Sequence, residues 1–345
     1  MVKITQFLIE NLKNEKLIFP KLARKEFSSY NQSVQQTFNS VFDNTNLKTE
    51  LKQFLAAQIE EFKIENDVNL ILNIVLIGSN LSSIKYANLK QKLGSKLGVE
   101  VVIHSFSGKE SDIHHQIKSL INQIKQSFEG AENVHHGLIF QLPLEDKFLS
   151  YLNQIPVFSD VDLLSENWPY LLDQLVLWPT VQAIQLCLYE MINNDLGNEY
   201  PQKSINFNRS NINLKGKTVA VIGQGKLVGY PTLNWLAKTE ATIISINKDT
   251  KNPELLTSQA DILISGTGIP NLINSKWVKD GSILIDAGTS DVEGSLEGDI
   301  DSNNLPPNCI LCPSPGGIGP ITVLCLFWNL LETAKLRLVN KSLGK

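Results

Sequence analysis

Apolar positions along this chain alternate between two spacings. Leu51, Leu55, Ile59 and Phe62 recur every three to four residues and mark one helix face, and the first 66 residues read as mostly helical. Residues 70–78 (LILNIVLIG) form a nearly unbroken aliphatic run ending at a glycine, which predicts a buried parallel strand. A helix over 82–98 closed by Gly98, a strand over 99–106 and a helix from about Asp112 to Phe128 follow. A third strand over 137–144 is stopped by Pro143.

Segment 195–213 is polar and asparagine-rich, and reads as a linker or surface loop. The alternation then resumes with a strand (218–223), a helix (228–239), a strand (241–247) and strands within 260–268 and 282–288. An amphipathic helix from about Ile321 to Val339 closes the series, and no repeat of solenoid length occurs. Strands alternating with helices predict an α/β protein with mostly parallel sheets.

Composition bounds this picture. At ~150 residues per domain, 345 residues suggest about two domains. Apolar residues are 42% and charged ones 19%, enough for a core and too little charge for disorder. The formal net charge of −4 argues against a dedicated nucleic-acid or anionic-membrane binder. No window approaches a bilayer span, no secretory or transit signal is legible, and a reducing cytoplasm is the expected setting. Cys309 and Cys312 have a metal-like spacing but no second pair nearby, so buried thiols are expected. The histidines (His104, His114, His115, His135, His136) are assigned solvated or structural roles. His135 and His136 are placed in a loop ahead of a strand, and no metal is assigned.

Two constellations carry chemistry. Gly223-Gln-Gly-Lys-Leu-Val-Gly229 follows a strand and opens a helix, the place for a dinucleotide-binding turn. Its spacing is one residue longer than the commonest fingerprint. The next strand ends Asn247-Lys248-Asp249, so the position that separates NAD from NADP offers both signs of charge. In the first half, Tyr86 and Lys90 stand four apart on one helix face, and Gln141 ends a strand. A lysine near a phenol and partly desolvated can have its pKa lowered enough to shuttle protons.

With these residues in view, the chain resembles the methylenetetrahydrofolate dehydrogenase/cyclohydrolase family over roughly residues 50–340. The motifs are Gly78…Ser83-x-x-Tyr86-x-x-x-Lys90, Gly137-Leu-Ile-Phe-Gln141-Leu-Pro-Leu144, Asp160-Val-Asp162, the turn through Gly229-Tyr-Pro231, and Cys312-Pro-Ser-Pro-Gly-Gly-Ile-Gly-Pro-Ile-Thr322. The resemblance implies two α/β domains, the second a Rossmann-type dinucleotide-binding domain, with a C-terminal helix packing back on the first. It implies the division 1–45 (an extension without assigned role), 46–176 (catalytic, folate-binding), 177–319 (NAD(P)-binding) and 320–345 (returning helix).

The activity so implied is oxidation of 5,10-methylenetetrahydrofolate to the methenyl form with NADP, or NAD, and hydrolysis of that form to 10-formyltetrahydrofolate. Lys90 would be the general acid/base, Gln141 would tune it, Tyr86 would stack on the folate and Asp162 would bind the pterin. Phe140, Leu142, Pro315, Gly316, Gly317 and Ile321 would complete the folate site. Thr180, Gly223, Gln224, Gly225, Gly229, Lys248, Gly268 and Thr289 would hold the cofactor. A homodimer is implied by resemblance alone.

The departures define what the structure must explain. Asn80-Leu81 stands where the family has Asp-Pro, and Leu163 replaces the glycine after Asp162. Only Thr180 survives of the segment at the domain crossing. Gln224 replaces an arginine that normally meets the 2′-phosphate; Lys248 offers a replacement charge and Asp249 opposes it. A non-catalytic folate- or nucleotide-binding regulator and an enzyme retaining one step therefore stay open as alternatives.

Overall fold

The computed structural model describes residues 40–109, 111–129, 133–166, 176–195, 212–292 and 294–342. The first half contains β1 (Ser40–Val41), α1 (Thr45–Asn66), β2 (Asn69–Ile77), α2 (Leu81–Leu97), β3 (Glu100–Phe106), α3 (Ile113–Glu129), β4 (Val134–Phe140) and the single turn α4 (Asp146–Leu149). The helix α5 (Pro179–Asp195) leads to β5 (Thr218–Ile222), α6 (Gly229–Leu236), β6 (Thr242–Ile246), α7 (Pro253–Thr257), β7 (Ile262–Ser265) and β8 (Ile283–Asp286). A hairpin of β9 (Ser290–Val292) and β10 (Ser295–Glu297), then β11 (Ile310–Cys312) and α8 (Ile318–Ser342), complete the chain. Most of the segment read as a linker, 196–211, lies outside the described residues, as do residues 1–39 of the part read as helical.

Two parallel sheets organise these elements. The first is β3-β2-β4 and the second β1-β11-β8-β7-β5-β6. Alternation along β2 explains its apolar run. Leu70, Leu72, Ile74 and Leu76 join the core of α1, α2 and α8, while Val75 turns to the isoleucines of α3 on the other face. The short β1 adds a strand to the region read as mostly helical: Ser40 and Val41 pair in parallel with Ile310 and Leu311, at the edge of the second sheet.

Helix α8 ties the halves together, packing on α1, α5 and the first sheet. Close approach is permitted by Gly137 on β4, where a β-carbon would stand 2.7 Å from Leu330 Cδ1. The helix starts three residues earlier than its apolar periodicity suggested. Pro320 fits in its first turn because the N–H groups there have no intrahelical partner. All four cysteines are buried and free. Cys309 faces the core around Trp277, and Cys312, three positions on, faces the opposite core. Residues three apart on an extended strand point to opposite faces, so the pair does not converge on one ion.

The expectation that His135 and His136 sit in a loop is wrong. They belong to β4, paired with Leu70 and Ile71 of β2, and the strand begins three residues before the apolar run. His135 is buried, stacked on Phe128 at 5.7 Å between centroids, and its Nε2 lies 3.1 Å from Thr333 Oγ1. His136 faces the other side, 3.3 Å from Asn73 Nδ2, and Asn73 Oδ1 lies 3.0 Å from His104 Nε2.

Burial, reinforced by Arg337, lowers His135 to about 3. An unfolded histidine titrates near 6.5, so unfolding takes up a proton below that pH. The stability due to neutral His135 is therefore present above about pH 6.5 and is lost as pH falls toward about 3. We expect the urea midpoint to fall more steeply between pH 6.5 and 4.5 in the wild type than in His135→Leu. Parallel slopes would remove His135 from the acid limb of stability.

Candidate active site

Helix α2 is set by its first turn. Asn80 caps it, its side-chain oxygen accepting from Ser83 N at 3.0 Å, so asparagine serves as the cap at the position where the family has aspartate. Its C-terminus closes at Gly98 (φ 72°), as the sequence predicted. This frame turns Lys90 inward to 9% exposure, with half-buried Tyr86 one turn earlier. From β4 comes Gln141, whose N–H extends the ladder to Val75 O at 2.9 Å. Lys90 Nζ donates to Gln141 Oε1 at 2.7 Å, and Gln141 Nε2 donates to Leu142 O at 3.2 Å. Ser83 Oγ also reaches Leu142 O at 3.2 Å, joining α2 to the strand end.

The segment Asp160–Ser165 supplies the third wall. Asp160 is buried and accepts from Leu164 N at 3.2 Å and Ser165 N at 2.8 Å, folding the segment back on itself. Burial pushes its carboxyl up to about 7. Leu163 adopts φ 55°, the left-handed region where the family has glycine. That conformation costs a non-glycine residue about 1–2 kcal/mol. Burial of Leu163 against Val176 and Leu336 offsets a penalty of this size. Asp162 is thereby presented toward Lys90. Burial lowers the Lys90 pKa and raises that of Asp162, and in each case the partner's charge opposes the shift. The site thus holds a buried amine and a buried carboxyl, and burial disfavours the charged form of each.

The loop after β11 forms the fourth wall. Gly317 N donates to Pro313 O at 2.8 Å, and Asn44 Nδ2 donates to the carbonyls of Gly316 and Gly317. Pro315 and Gly316 are exposed, and Tyr86 is the nearest side chain to Gly319. Two expected folate contacts lie beneath the site. Phe140 is fully buried, its ring parallel to Tyr151 at 6.2 Å, and Ile321 is fully buried in α8. Leu142 is half-buried at the strand end beside Gln141.

Sequence reasoning missed the residues that hold these walls. Asn329 Nδ2 on α8 donates to Val161 O at 2.9 Å and Leu177 O at 2.8 Å, and its Oδ1 accepts from Gln182 Nε2 at 2.7 Å. This buried knot fixes the residue preceding Asp162. The one legible signal was a lone asparagine within the apolar run LFWNLL; Asn44 carried none.

In the second sheet β5 lies between β6 and β7, so the chain reverses its direction of winding there and opens a crevice at the strand ends. The glycine turn occupies it. Gly223 has φ 92°, and a β-carbon would meet Gly266 O at 2.6 Å. A β-carbon on Gly229 would collide with Gly223 O, so both glycines are required by close backbone contact. At Gly225 nothing lies within 4 Å of that position, which leaves room for a pyrophosphate against the backbone at the start of α6. This arrangement fits a dinucleotide.

Gln224 Nε2 donates to Ser245 Oγ at 2.8 Å and so bridges the turn to β6. Lys248 is exposed at the end of β6 and makes no ion pair among the described residues. Gly268 (φ 69°) and Thr289 follow β7 and β8; Gly268 O accepts from Ser290 Oγ at 2.6 Å, and Thr289 Oγ1 lies 3.0 Å from Ser314 Oγ. Thr180 is half-buried in the first turn of α5, apart from these contacts. No group of three or more His, Cys, Asp or Glu that could hold a metal occurs among the described residues.

Comparison with known proteins agrees with this geometry. Residues 42–162 match the model of the tetrahydrofolate dehydrogenase/cyclohydrolase catalytic domain, and residues 204–338 that of its NAD(P)-binding domain. The bifunctional protein FolD of Nautilia profundicola is 32% identical over 302 residues, covering 86% of this chain and 97% of that protein. That of Mycoplasma mobile is 33% identical over 301 residues, covering 85% and 96%. The crystal structure of the bifunctional FolD from Campylobacter jejuni superposes with a TM-score of 0.70 at 26% identity, covering 86% of this chain and 99% of that one. The chain belongs to the tetrahydrofolate dehydrogenase/cyclohydrolase family.

Proposed function

We propose that this chain oxidises 5,10-methylenetetrahydrofolate to the methenyl form with NADP and hydrolyses the methenyl form to 10-formyltetrahydrofolate. The observation that carries this reading is the buried Lys90, hydrogen-bonded to Gln141 and facing Asp162, in a member of this family. A nicotinamide cofactor held by the Gly223–Gly229 turn would supply the hydride acceptor for the bridging carbon. The protein's part in that step is placement, with Tyr86 and the Pro315–Gly317 loop bounding the folate. Asp162 matches the donor edge of a pterin, which a carboxylate reads with two acceptor oxygens.

Hydrolysis asks more of the side chains. Water adds to the methenyl carbon and loses a proton; the resulting hydroxyl loses its second proton to solvent as the carbonyl forms and the bond from that carbon to N5 breaks, and N5 takes up a proton. Lys90, with its pKa lowered by burial, accepts the first proton and returns one to N5. Gln141 orients the amine through its Oε1.

NADP is favoured over NAD by Lys248, an exposed cation at the end of β6 without an ion pair among the described residues, although Gln224 brings no charge. The proposed working units are residues 46–176 for folate chemistry and 177–319 for the cofactor, with 320–345 returning to the first and 1–45 without assigned role. A homodimer and a cytoplasmic location extend the family resemblance; β3 offers the dimer an edge that is unpaired on one side among the described residues. Among those residues no helix is long and apolar enough to cross a membrane. A single-chain mass by light scattering would remove the dimer, and recovery from an exported fraction the location.

Purified protein given methylenetetrahydrofolate and NADP is expected to develop the near-ultraviolet absorbance of the methenyl product. No signal with either nicotinamide cofactor would sink the dehydrogenase reading. Lys90→Ala is expected to slow hydrolysis of added methenyl substrate by about a hundredfold or more, and an unchanged rate would remove Lys90 from the step. Lys248→Ala is expected to raise KM for NADP about tenfold with little change for NAD; equal changes for both would show that Lys248 does not read the phosphate.

A further inference from the structure

Two carboxylates that the mechanism above does not use lie buried at the cofactor edge of the second sheet. Asp286 ends β8. Its Oδ1 accepts from Gly288 N at 3.0 Å and Asp299 N at 3.1 Å, and its Oδ2 accepts from Ile300 N at 2.9 Å. Asp299 sits beside it. Its Oδ2 accepts from Ser265 Oγ and Thr267 N, both at 2.6 Å, and its Oδ1 from Ile269 N at 3.1 Å. Both residues are almost completely buried, and neither is in an ion pair among the described residues.

We propose that Asp286 and Asp299 are positioning residues for the dehydrogenase step, locking the loops after β7 and β8 into the arrangement that receives the cofactor. This rests on the reading of the second half as the NAD(P) site.

Geometry separates this role from ordinary loop packing. The three donors on Asp299 include two consecutive anchors of the loop after β7, at Thr267 and Ile269, which straddle Gly268. Those on Asp286 reach the loop after β8 at Gly288 and the backbone N–H of Asp299, the residue that bears the other carboxylate. The two loops are thus one unit, and Gly268 and Thr289 ride on it. Space for the pair is made by glycine: a β-carbon on Gly288 would collide with Asp299, and one on Gly298 with Asp286.

Burying two neighbouring carboxylates without a cation is expensive, and an apolar filling of the same space would serve stability better. Burial, with Asp299 adding to it, pushes Asp286 up to about 7, so near neutrality the couple carries less than its full charge. What six well-directed acceptor contacts provide is rigidity at a place where loop error would misalign the nicotinamide. Every partner is an N–H or O–H donor. An amide in place of either carboxylate therefore turns its NH2 toward a donor.

The test uses the full chain and three readouts: calorimetric titration with NADP, dehydrogenase kinetics at varied NADP, and hydrolysis of methenyl substrate without cofactor. Hydrolysis is no redox step and uses only the folate wall, so a general loss of structure lowers both reactions whereas misplaced cofactor loops lower one. Asp299→Asn is expected to weaken NADP binding and raise its KM about tenfold or more, with hydrolysis within about twofold of wild type. Ser265→Ala removes a single donor and is expected to give a smaller change, about threefold, in the same direction. It decides the matter if Asp299→Asn does not fold. Parallel loss of both reactions, or unchanged cofactor affinity in folded variants, would overturn the proposal. A wild-type chain that binds neither NADP nor NAD would sink the underlying reading instead.

Discussion

The contact between Lys90 and Gln141 imposes the strictest demand on this fold. A lysine amine held away from water is stable only where its surroundings are arranged in advance, since a misplaced partner leaves a buried charge without compensation. Three elements meet that demand: α2 brings the lysine, the end of β4 brings the amide oxygen, and the segment after Asp160 brings the carboxylate. Each is fixed by a cap or a backbone hydrogen bond close to the functional residue, so the amine meets oxygen rather than hydrocarbon.

Those fixings are in turn held from far along the chain. Asn329 and Gln182 grip the backbone on both sides of the passage between the two halves, and Asn44 grips the loop after β11. All three side chains are buried and each contacts residues more than a helix length away in sequence. The site residues come from three successive elements of the first half, whereas the side chains that brace them come from both ends of the chain. Leu163 illustrates the exchange: a left-handed backbone is tolerated where glycine is usual because the side chain gains a core of its own.

The alternation of strands and helices was readable because buried parallel strands leave long aliphatic runs and glycine closes helices. The motif residues were readable because their spacing survives divergence: Lys90 and Gln141 meet in a hydrogen bond, and Asp162 lies close enough for each charge to act on the other. Other features were not readable, for physical reasons. His135 looked like a loop residue because histidine usually seeks water, whereas in the fold it stacks on Phe128 and contacts Thr333. Phe140 and Ile321 sat in the right motifs but face the core, since neighbouring positions on a strand or helix point in different directions. Asn44, Asp286 and Asp299 gave no local pattern, because what they organise is assembled from distant segments.

The pairing of β1 with β11 has a consequence for assembly. Ser40 meets Ile310, so one of the first described segments finds its partner only when nearly the whole chain has been made. The first sheet, β3-β2-β4, closes within a single run of sequence and is free to form early on the ribosome. In the second sheet β1, made first, must wait for β11, made nearly last. A fragment starting at α5 would carry its whole nucleotide crevice yet leave the outer edge of β11 bare. Such an edge invites pairing with other chains. Cutting this protein between its two halves therefore trades one buried seam for a surface prone to aggregation.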